Sequence, residues 1–375
     1  DRSQGRLLNL AALVLAIYSL ALSLAPLVRA RSLQADIAWQ HWLGFFAWLG
    51  LFNLAHRLSA RRLLKRDPLL LPLAGLLMGW GLLTIYRLFP AFGLRQTGWM
   101  VLSLLVFVIG LRLPSDLRYL RQYKYLWLSS GLLLAALTLI LGTNPLGYGP
   151  RMWLGCCGIF LQPSEPLKLL LVIYLAAYLA DRFSLLAFRA PTRPGAGRTQ
   201  KPALLPLLLP TLVMTGLALL VLFFQRDLGT ASVFLFLYSV MVYIASGRRR
   251  VLLVASASLT TGSLAAYWLF DVVKLRINAW INPWLDPAGQ SYQIVQSLIA
   301  VANGGLAGRG PGLGNPGLVP VPHSDFIFTA IFEESGLAGA IVLIGLIALL
   351  AGRAVRSALN SAAPFQRYLA AGLAA

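Results

Sequence analysis

ALLPLLLPTLVMTGLALLVLFFQRDLGTASVFLFLYSVMVYIAS, residues 203–246, is the stretch that decides the fold. Two apolar runs, 203–224 and 228–246, are each long enough to cross a bilayer as a helix. They meet at FFQRDLGT, residues 223–230, where Arg226 and Asp227 sit between them. A carboxylate at a membrane edge is costly, which makes Asp227 a candidate for function. It also has an ordinary use, capping the helix that follows with Arg226 as its ion-pair partner. The local sequence leaves both readings open.

The rest of the chain repeats this pattern. Of its 375 residues, 58% are hydrophobic and only 12% charged, against about a quarter charged in soluble domains. The apolar runs predict spans at 7–28, 38–56, 69–89, 97–113, 123–141, 166–180, 203–224, 228–246, 251–271 and 326–352. A further span begins near Phe365. The expected fold is an all-α, polytopic transmembrane helical bundle with one large outer loop between the spans near 251–271 and 326–352. A β-barrel would alternate apolar and polar residues instead. No cleavable signal peptide is evident, because the first apolar run is long enough to span. The chain starts without Met and stops inside an apolar stretch, 368–375, and is read as truncated at its C-terminus.

The net charge of +20 does not point to nucleic acid, because the basic residues fall between spans. They set an orientation instead. With the N-terminus cytoplasmic, the cytoplasmic segments hold Arg2 and Arg6, the 57–66 cluster, the 112–124 cluster, the 182–201 cluster, Arg248 to Arg250, and Arg353, Arg356 and Arg367. The linker 181–202, rich in Arg, Pro and Gly, is expected to be a flexible cytoplasmic loop. The connection 272–325 then lies outside, with one short helix expected near 292–302 and with Trp280, Trp284 and Tyr292 at the interface. Cys156 and Cys157 are adjacent and have no third cysteine, so neither a structural disulfide nor a metal site is expected.

This topology sends four groups of polar residues to the outer side, where a pocket open outward is the natural expectation. The first is GPRMW, 149–153, in which Arg151 can grip a phosphate and Trp153 can stack on a sugar, or both can anchor at the interface. The second is QPSEPLK, 162–168. Ser164 suits a helix N-cap, and Glu165 and Lys168 share a helical face, as a local ion pair or as a cation held for an anionic ligand. The third is the Asp227 turn. The fourth closes the outer loop: Arg309 lies in GRGPGLGNPG, 308–317, and HSDFIF, 323–328, opens the next span. There Ser324 or Asp325 is expected to cap the helix, and Glu333 and Glu334 follow two turns in, at a depth that suits a polar cavity. His323 alone suggests a structural residue. There is no P-loop, Cys/His metal pattern or nucleophile elbow.

Taken in order, the Arg-Trp loop, QPSE with Lys three residues on, Q-x-DLGT and H-S-DFIF-x4-EE-x-G resemble the motifs of the SEDS family, the RodA- and FtsW-type polymerases of bacterial cell-wall synthesis. The resemblance covers residues 69–375 and leaves two earlier spans. The expected organisation is therefore an N-terminal two-span module, 1–66, and a glycosyltransferase core, 67–375, that lacks the family's last spans. The resemblance implies a peptidoglycan glycosyltransferase in the bacterial cytoplasmic membrane that polymerises lipid II, a disaccharide-peptide on undecaprenyl diphosphate, at the outer face. It implies Asp227 as the essential carboxylate. It also implies a substrate-binding set of Arg151, Trp153, Gln162, Ser164, Glu165, Lys168, His323, Asp325, Glu333 and Glu334, to which Arg309 is added as a phosphate contact. A class B penicillin-binding protein is the implied partner, alongside membrane lipids and no nucleic acid. Asp227 would act as general base or hold a divalent cation, Mg or Mn, against the diphosphate. Arg226 departs from the family, which has Pro there. Other readings of the same chain are a lipid II flippase, a different lipid-linked glycan polymerase or ligase, and a non-catalytic scaffold for a partner synthase.

Overall fold

The computed structural model describes the chain except residues 1, 64–65, 115–116, 145–146, 148–149, 157–158 and 189–203. Four helices open it: α1 (Arg2–Ala30), α2 (His41–Arg62), α3 (Leu70–Leu88) and α4 (Pro90–Arg112). A short α5 (Arg118–Gln122) leads into α6 (Lys124–Leu141). An antiparallel hairpin follows, β1 (Leu154–Cys156) against β2 (Ile159–Leu161), with Leu154 opposite Leu161. Then come α7 (Ser164–Phe188), α8 (Leu204–Phe224), α9 (Leu228–Ser246), α10 (Arg250–Leu269), α11 (Asp271–Ile281), α12 (Tyr292–Gly304), α13 (Ile327–Leu359) and α14 (Pro364–Ala374).

Each predicted span coincides with a helix, and the chain is a multi-pass membrane protein. Among the described residues, eight helices are long and apolar enough to cross a membrane. The two expected spans outside that set are α2 and α7. Their polar residues explain it: α2 carries His41, Asn53, His56 and three arginines, and α7 carries Glu165, Lys168, Asp181 and Arg182.

Three expectations need correction. The linker does not begin at Asp181, because α7 runs on to Phe188. Asp181 is held there by Arg121, at 2.7 Å, and by Lys124; the remainder of that linker, 189–202, lies outside the described residues, as do Gly149, Cys157 and Lys65. The connection 272–325, expected outside, contains two α-helices, α11 and α12, and two 3-10 turns rather than one short helix. Finally, α13 starts at Ile327, so Phe326 precedes it and neither Ser324 nor Asp325 stands at its cap.

The chain divides into two compact units, Asp1–Leu113 with Tyr267–Arg353, and Pro114–Ala266 with Ala354–Ala375. In the first, α1 to α4 pack around Leu15, Trp48, Leu82, Leu83 and Tyr86. Trp48 is 1% exposed, and its indole N–H donates to Gly75 O at 2.8 Å, so a large aromatic is buried with its polar atom satisfied. Tyr86 lies flat on Gly93, where a Cβ would come within 2.4 Å of the ring; a small residue lets α3 and α4 approach closely.

In the second unit α7 is the central element. From Leu171 to Ala180 it is buried almost all round, against α6, α8, α9 and α14. A helix apolar on every face belongs in a core. Helix α14, 11 residues long, packs through Phe365, Ala371 and Gly372, and Gly372 meets Val172 and Met241.

Candidate functional site

Asp227 is fixed by the way α8 stops. Arg226 N donates to Phe223 O at 3.0 Å and Asp227 N to Leu222 O at 2.9 Å. These are the paired bonds of a Schellman ending, and Arg226 occupies its left-handed position with φ of 58°. Proline, locked near −65°, cannot adopt that angle, so this turn differs from one with Pro at 226. Asp227 then becomes the N-cap of α9: its Oδ1 accepts from Thr230 N at 3.1 Å. The capping reading is thus correct as far as it goes. The expected ion pair with Arg226 is absent among the described residues, and Asp227 Oδ2 is buried with no hydrogen-bond partner. A shielded carboxylate oxygen with free lone pairs is what a proton acceptor or a cation ligand requires.

The turn is tied to the last turns of α6. Gln225, 7% exposed, donates from Nε2 to Ala135 O at 2.8 Å and to Thr138 Oγ1 at 2.6 Å. The Arg-Trp segment is docked on the same helix end: Thr143 N donates to Trp153 O at 2.8 Å, and Trp153 N to Thr143 O at 3.2 Å. Thr138 lies in the last turn of α6, and Thr143 follows two residues after its end at Leu141. Arg151 is exposed and its guanidinium has no partner among the described residues; Trp153 is half-buried. The hairpin β1–β2 then returns the chain to the start of α7.

Gln162 is half-buried, and its carbonyl accepts from Glu165 N at 3.1 Å. Ser164 is the first helical residue rather than the N-cap, a place Pro163 takes, and its buried hydroxyl has no partner. Lys168 Nζ reaches Glu165 at 2.9 Å, as the three-residue spacing predicts. The Glu165 side chain is 58% exposed, so the pair contributes at most about 1 kcal/mol to stability.

In the first unit, a break in α13 organises the other candidates. Gly336 has φ of 66° inside the helix. The break frees carbonyls before it and N–H groups after it, and the loop following α12 satisfies both. Arg309 N donates to Glu333 O at 3.0 Å and Gly310 N to Glu334 O at 2.9 Å, while Leu337 N donates to Gly305 O at 2.9 Å. The two buried carboxylates complete the hold: Glu334 Oε2 accepts from Gly312 N at 2.9 Å, and Glu333 Oε1 from Asn315 N at 3.0 Å. Glu333 and Glu334 therefore bind the Gly-rich loop of their own chain. One oxygen of each, Glu333 Oε2 and Glu334 Oε1, makes no hydrogen bond, although Arg87 Nε lies 3.4 Å from the latter.

Arg309 and Asp325 are exposed, and their side chains have no partner among the described residues. His323 stacks on Phe92 with centroids 4.5 Å apart and meets Phe89 edge-on at 5.3 Å. That fits a structural role.

Three residues escaped the sequence reading. Gln225 stands in the Q-x-DLGT motif, and that was its available signal. Arg87 and Arg29 clamp the Gly-rich loop: Arg87 Nη2 donates to Gly312 O at 3.0 Å and Gly314 O at 3.1 Å, and Arg29 to Gly314 O and Asn315 Oδ1. Nothing local marks either, since each looks like an ordinary arginine ending an apolar run. Among the described residues no three His, Cys, Asp or Glu side chains cluster as a metal cage.

Comparison with known proteins adds four findings. The FtsW/RodA/SpoVE family pattern, described as a cell cycle protein, matches residues 63–375. The peptidoglycan glycosyltransferase RodA of Mycobacterium bovis is 32% identical over 97% of this chain and 79% of its own length. A probable peptidoglycan glycosyltransferase FtsW of Geobacter metallireducens is 31% identical over 86% of this chain and 84% of its own. Among solved structures, one chain of a peptidoglycan synthase complex described as coordinating polymerization and crosslinking superposes with a TM-score of 0.53 at 27% identity, covering 89% of this chain and 82% of that one.

Proposed function

The chain belongs to the FtsW/RodA/SpoVE family, and we propose from that premise that it is a peptidoglycan glycosyltransferase polymerising lipid II at the outer face of the bacterial cytoplasmic membrane. The observation that carries the proposal is Asp227 Oδ2, buried and unpartnered at the junction of two spans. Asp227 accepts the proton of the attacking sugar hydroxyl. The hydroxyl oxygen bonds to the anomeric carbon as the bond to the diphosphate breaks, with inversion in a single displacement. The diphosphate leaves as an anion, so no acid is needed on the leaving side, unlike glycoside hydrolysis. Arg151 and Lys168 neutralise its charge, and Trp153, Gln162 and Ser164 line the sugar. Glu165 orients Lys168. Within the first unit, Glu333 and Glu334 fix the Gly-rich loop that carries Arg309.

A divalent cation, Mg or Mn, fits Asp227 as an ion shared with substrate, because one free carboxylate oxygen and phosphate oxygens make an acceptable set while the described residues offer no cage. Bound there, it would supply Lewis-acid neutralisation of the diphosphate. A class B penicillin-binding protein is the proposed partner, a reading supported by the synthase-complex relative. Helices α1 and α2, which precede the family match, form the proposed two-span addition at 1–66.

The test is Asp227→Asn in purified protein supplied with lipid II. The substitution keeps a capping oxygen and removes the base, so polymer formation should fall about 100-fold or more. Undiminished polymer from a folded variant would remove Asp227 from the reaction. Movement of labelled lipid across vesicles without polymer, by the unaltered protein, would favour a transporter instead.

A further inference from the structure

We propose that the first unit carries a second site, for the phosphate headgroup of an anionic membrane lipid, in a cavity of about 340 Å³ lined by Arg29, Trp39, Gln40, His41, Arg87 and Gly312. Arg29 ends α1 and Arg87 ends α3, so both guanidiniums sit where apolar helix gives way to the headgroup region. Each uses Nη2 to hold carbonyls of the Gly-rich loop. That leaves Arg29 Nε and Nη1, and Arg87 Nη1, with no protein partner among the described residues. Two guanidiniums with spare forked donors match phosphate oxygens. The N-terminus of the 22-residue α2 enters the same cavity with no acidic residue in its first turn and no side-chain cap, adding positive potential. The carboxylate nearest these arginines, Glu334, lies 3.4 Å from Arg87 Nε and makes no direct ion pair with Arg29, although its charge is felt there.

The surface beside the cavity selects a lipid over a soluble ion. Ile37 and Trp39 both line the cavity and are 57% and 61% exposed, so its mouth is apolar. An acyl chain lying against these two side chains brings its headgroup to Arg29, and Trp39 stands where an interfacial ring belongs. The site is built largely from residues before 63, so it is additional to the family pattern. A phosphate held there keeps Arg29 where it clamps Gly314 and Asn315.

The experiment uses the full chain reconstituted in phosphatidylcholine vesicles doped with either phosphatidylglycerol or phosphatidylcholine carrying brominated acyl chains. Quenching at Trp39 is read as the difference from Trp39→Phe. Brominated phosphatidylglycerol should quench at a mole fraction about tenfold below brominated phosphatidylcholine, and Arg29→Gln should remove that preference. Gln40→Glu, which places an acid at the mouth and leaves the Arg29 clamp intact, should weaken it too, with an unchanged unfolding temperature as the check on folding. Millimolar inorganic phosphate should leave the quenching in place. Equal quenching by the two lipids, an undisturbed preference in both variants, or displacement by inorganic phosphate would each overturn the assignment.

Discussion

Asp227 does two jobs with two oxygens, and substitutions separate them. Oδ1 caps α9 through Thr230 N, and Oδ2 is free. Asparagine keeps the first and loses the second, so Asp227→Asn should unfold at nearly the same temperature as the unaltered protein while losing polymerisation. Asp227→Ala loses both and should cost about 1 kcal/mol more in stability, read as a lower thermal midpoint in detergent. If Asn and Ala variants lost stability equally, the cap would carry no weight. The sequence showed the carboxylate and both of its readings, because a charge between two apolar runs is conspicuous. It could not show that the readings coexist, since that depends on Arg226 taking a left-handed angle and turning Oδ2 inward. Ser164 illustrates the reverse error. Its residue type suits a cap, but the helix starts one residue earlier in register than the cap requires, and the hydroxyl is buried instead.

At the scale of elements, the broken helix α13 is the part that sequence patterning concealed. Hydropathy reports one long apolar run, and a single Gly336 within it looks tolerable. Yet a Cβ at Gly336 would lie 2.3 Å from Gly308 N, and its φ of 66° is in the region L residues avoid. Gly336→Ala should therefore destabilise the loop it receives by about 2–3 kcal/mol. Limited proteolysis within 305–317 is the measurement; a rate equal to that of the unaltered chain would show the break to be dispensable. The acidic pair behind the break was legible as unusual, but its partners were not, because backbone amides leave no mark in a sequence. At the far end of α13, Arg353 Nε donates to Asp67 Oδ2 at 2.9 Å, with Asp67 Oδ1 accepting from Leu69 N at 2.8 Å ahead of α3. Burial raises the Asp67 carboxyl, but the Arg353 bonds and the Leu69 amide outweigh it and hold it below its ordinary 3.8. A depressed folded value means stability that is present above 3.8 and lost as pH falls through the folded value. The thermal midpoint should thus drop on acidification below about pH 4, and Asp67→Asn should flatten that drop while lowering the midpoint at neutral pH.

For the whole molecule the decisive quantity is which ends of the helices face which side. Within the second unit, the end of α6 anchors both the Gln225–Asp227 turn and the Trp153 strand, so these motif residues share one end of the bundle by direct bonds. Which compartment that end faces rests on charge. Arg248, Arg249 and Arg250 follow α9 at its other end, and Lys and Arg are retained on the cytoplasmic side during insertion. Counting crossings onward from there, the α11–α12 segment is expected outside. Single cysteines test this in a Cys156→Ser, Cys157→Ser background. Leu285→Cys, at a position 78% exposed, should react with a membrane-impermeant maleimide on intact cells. Arg249→Cys, also at an exposed position, should react only after the membrane is opened. The reverse pattern would put Asp227 on the cytoplasmic face, where no extracellular polymer can be made, and would remove the proposed reaction along with the orientation.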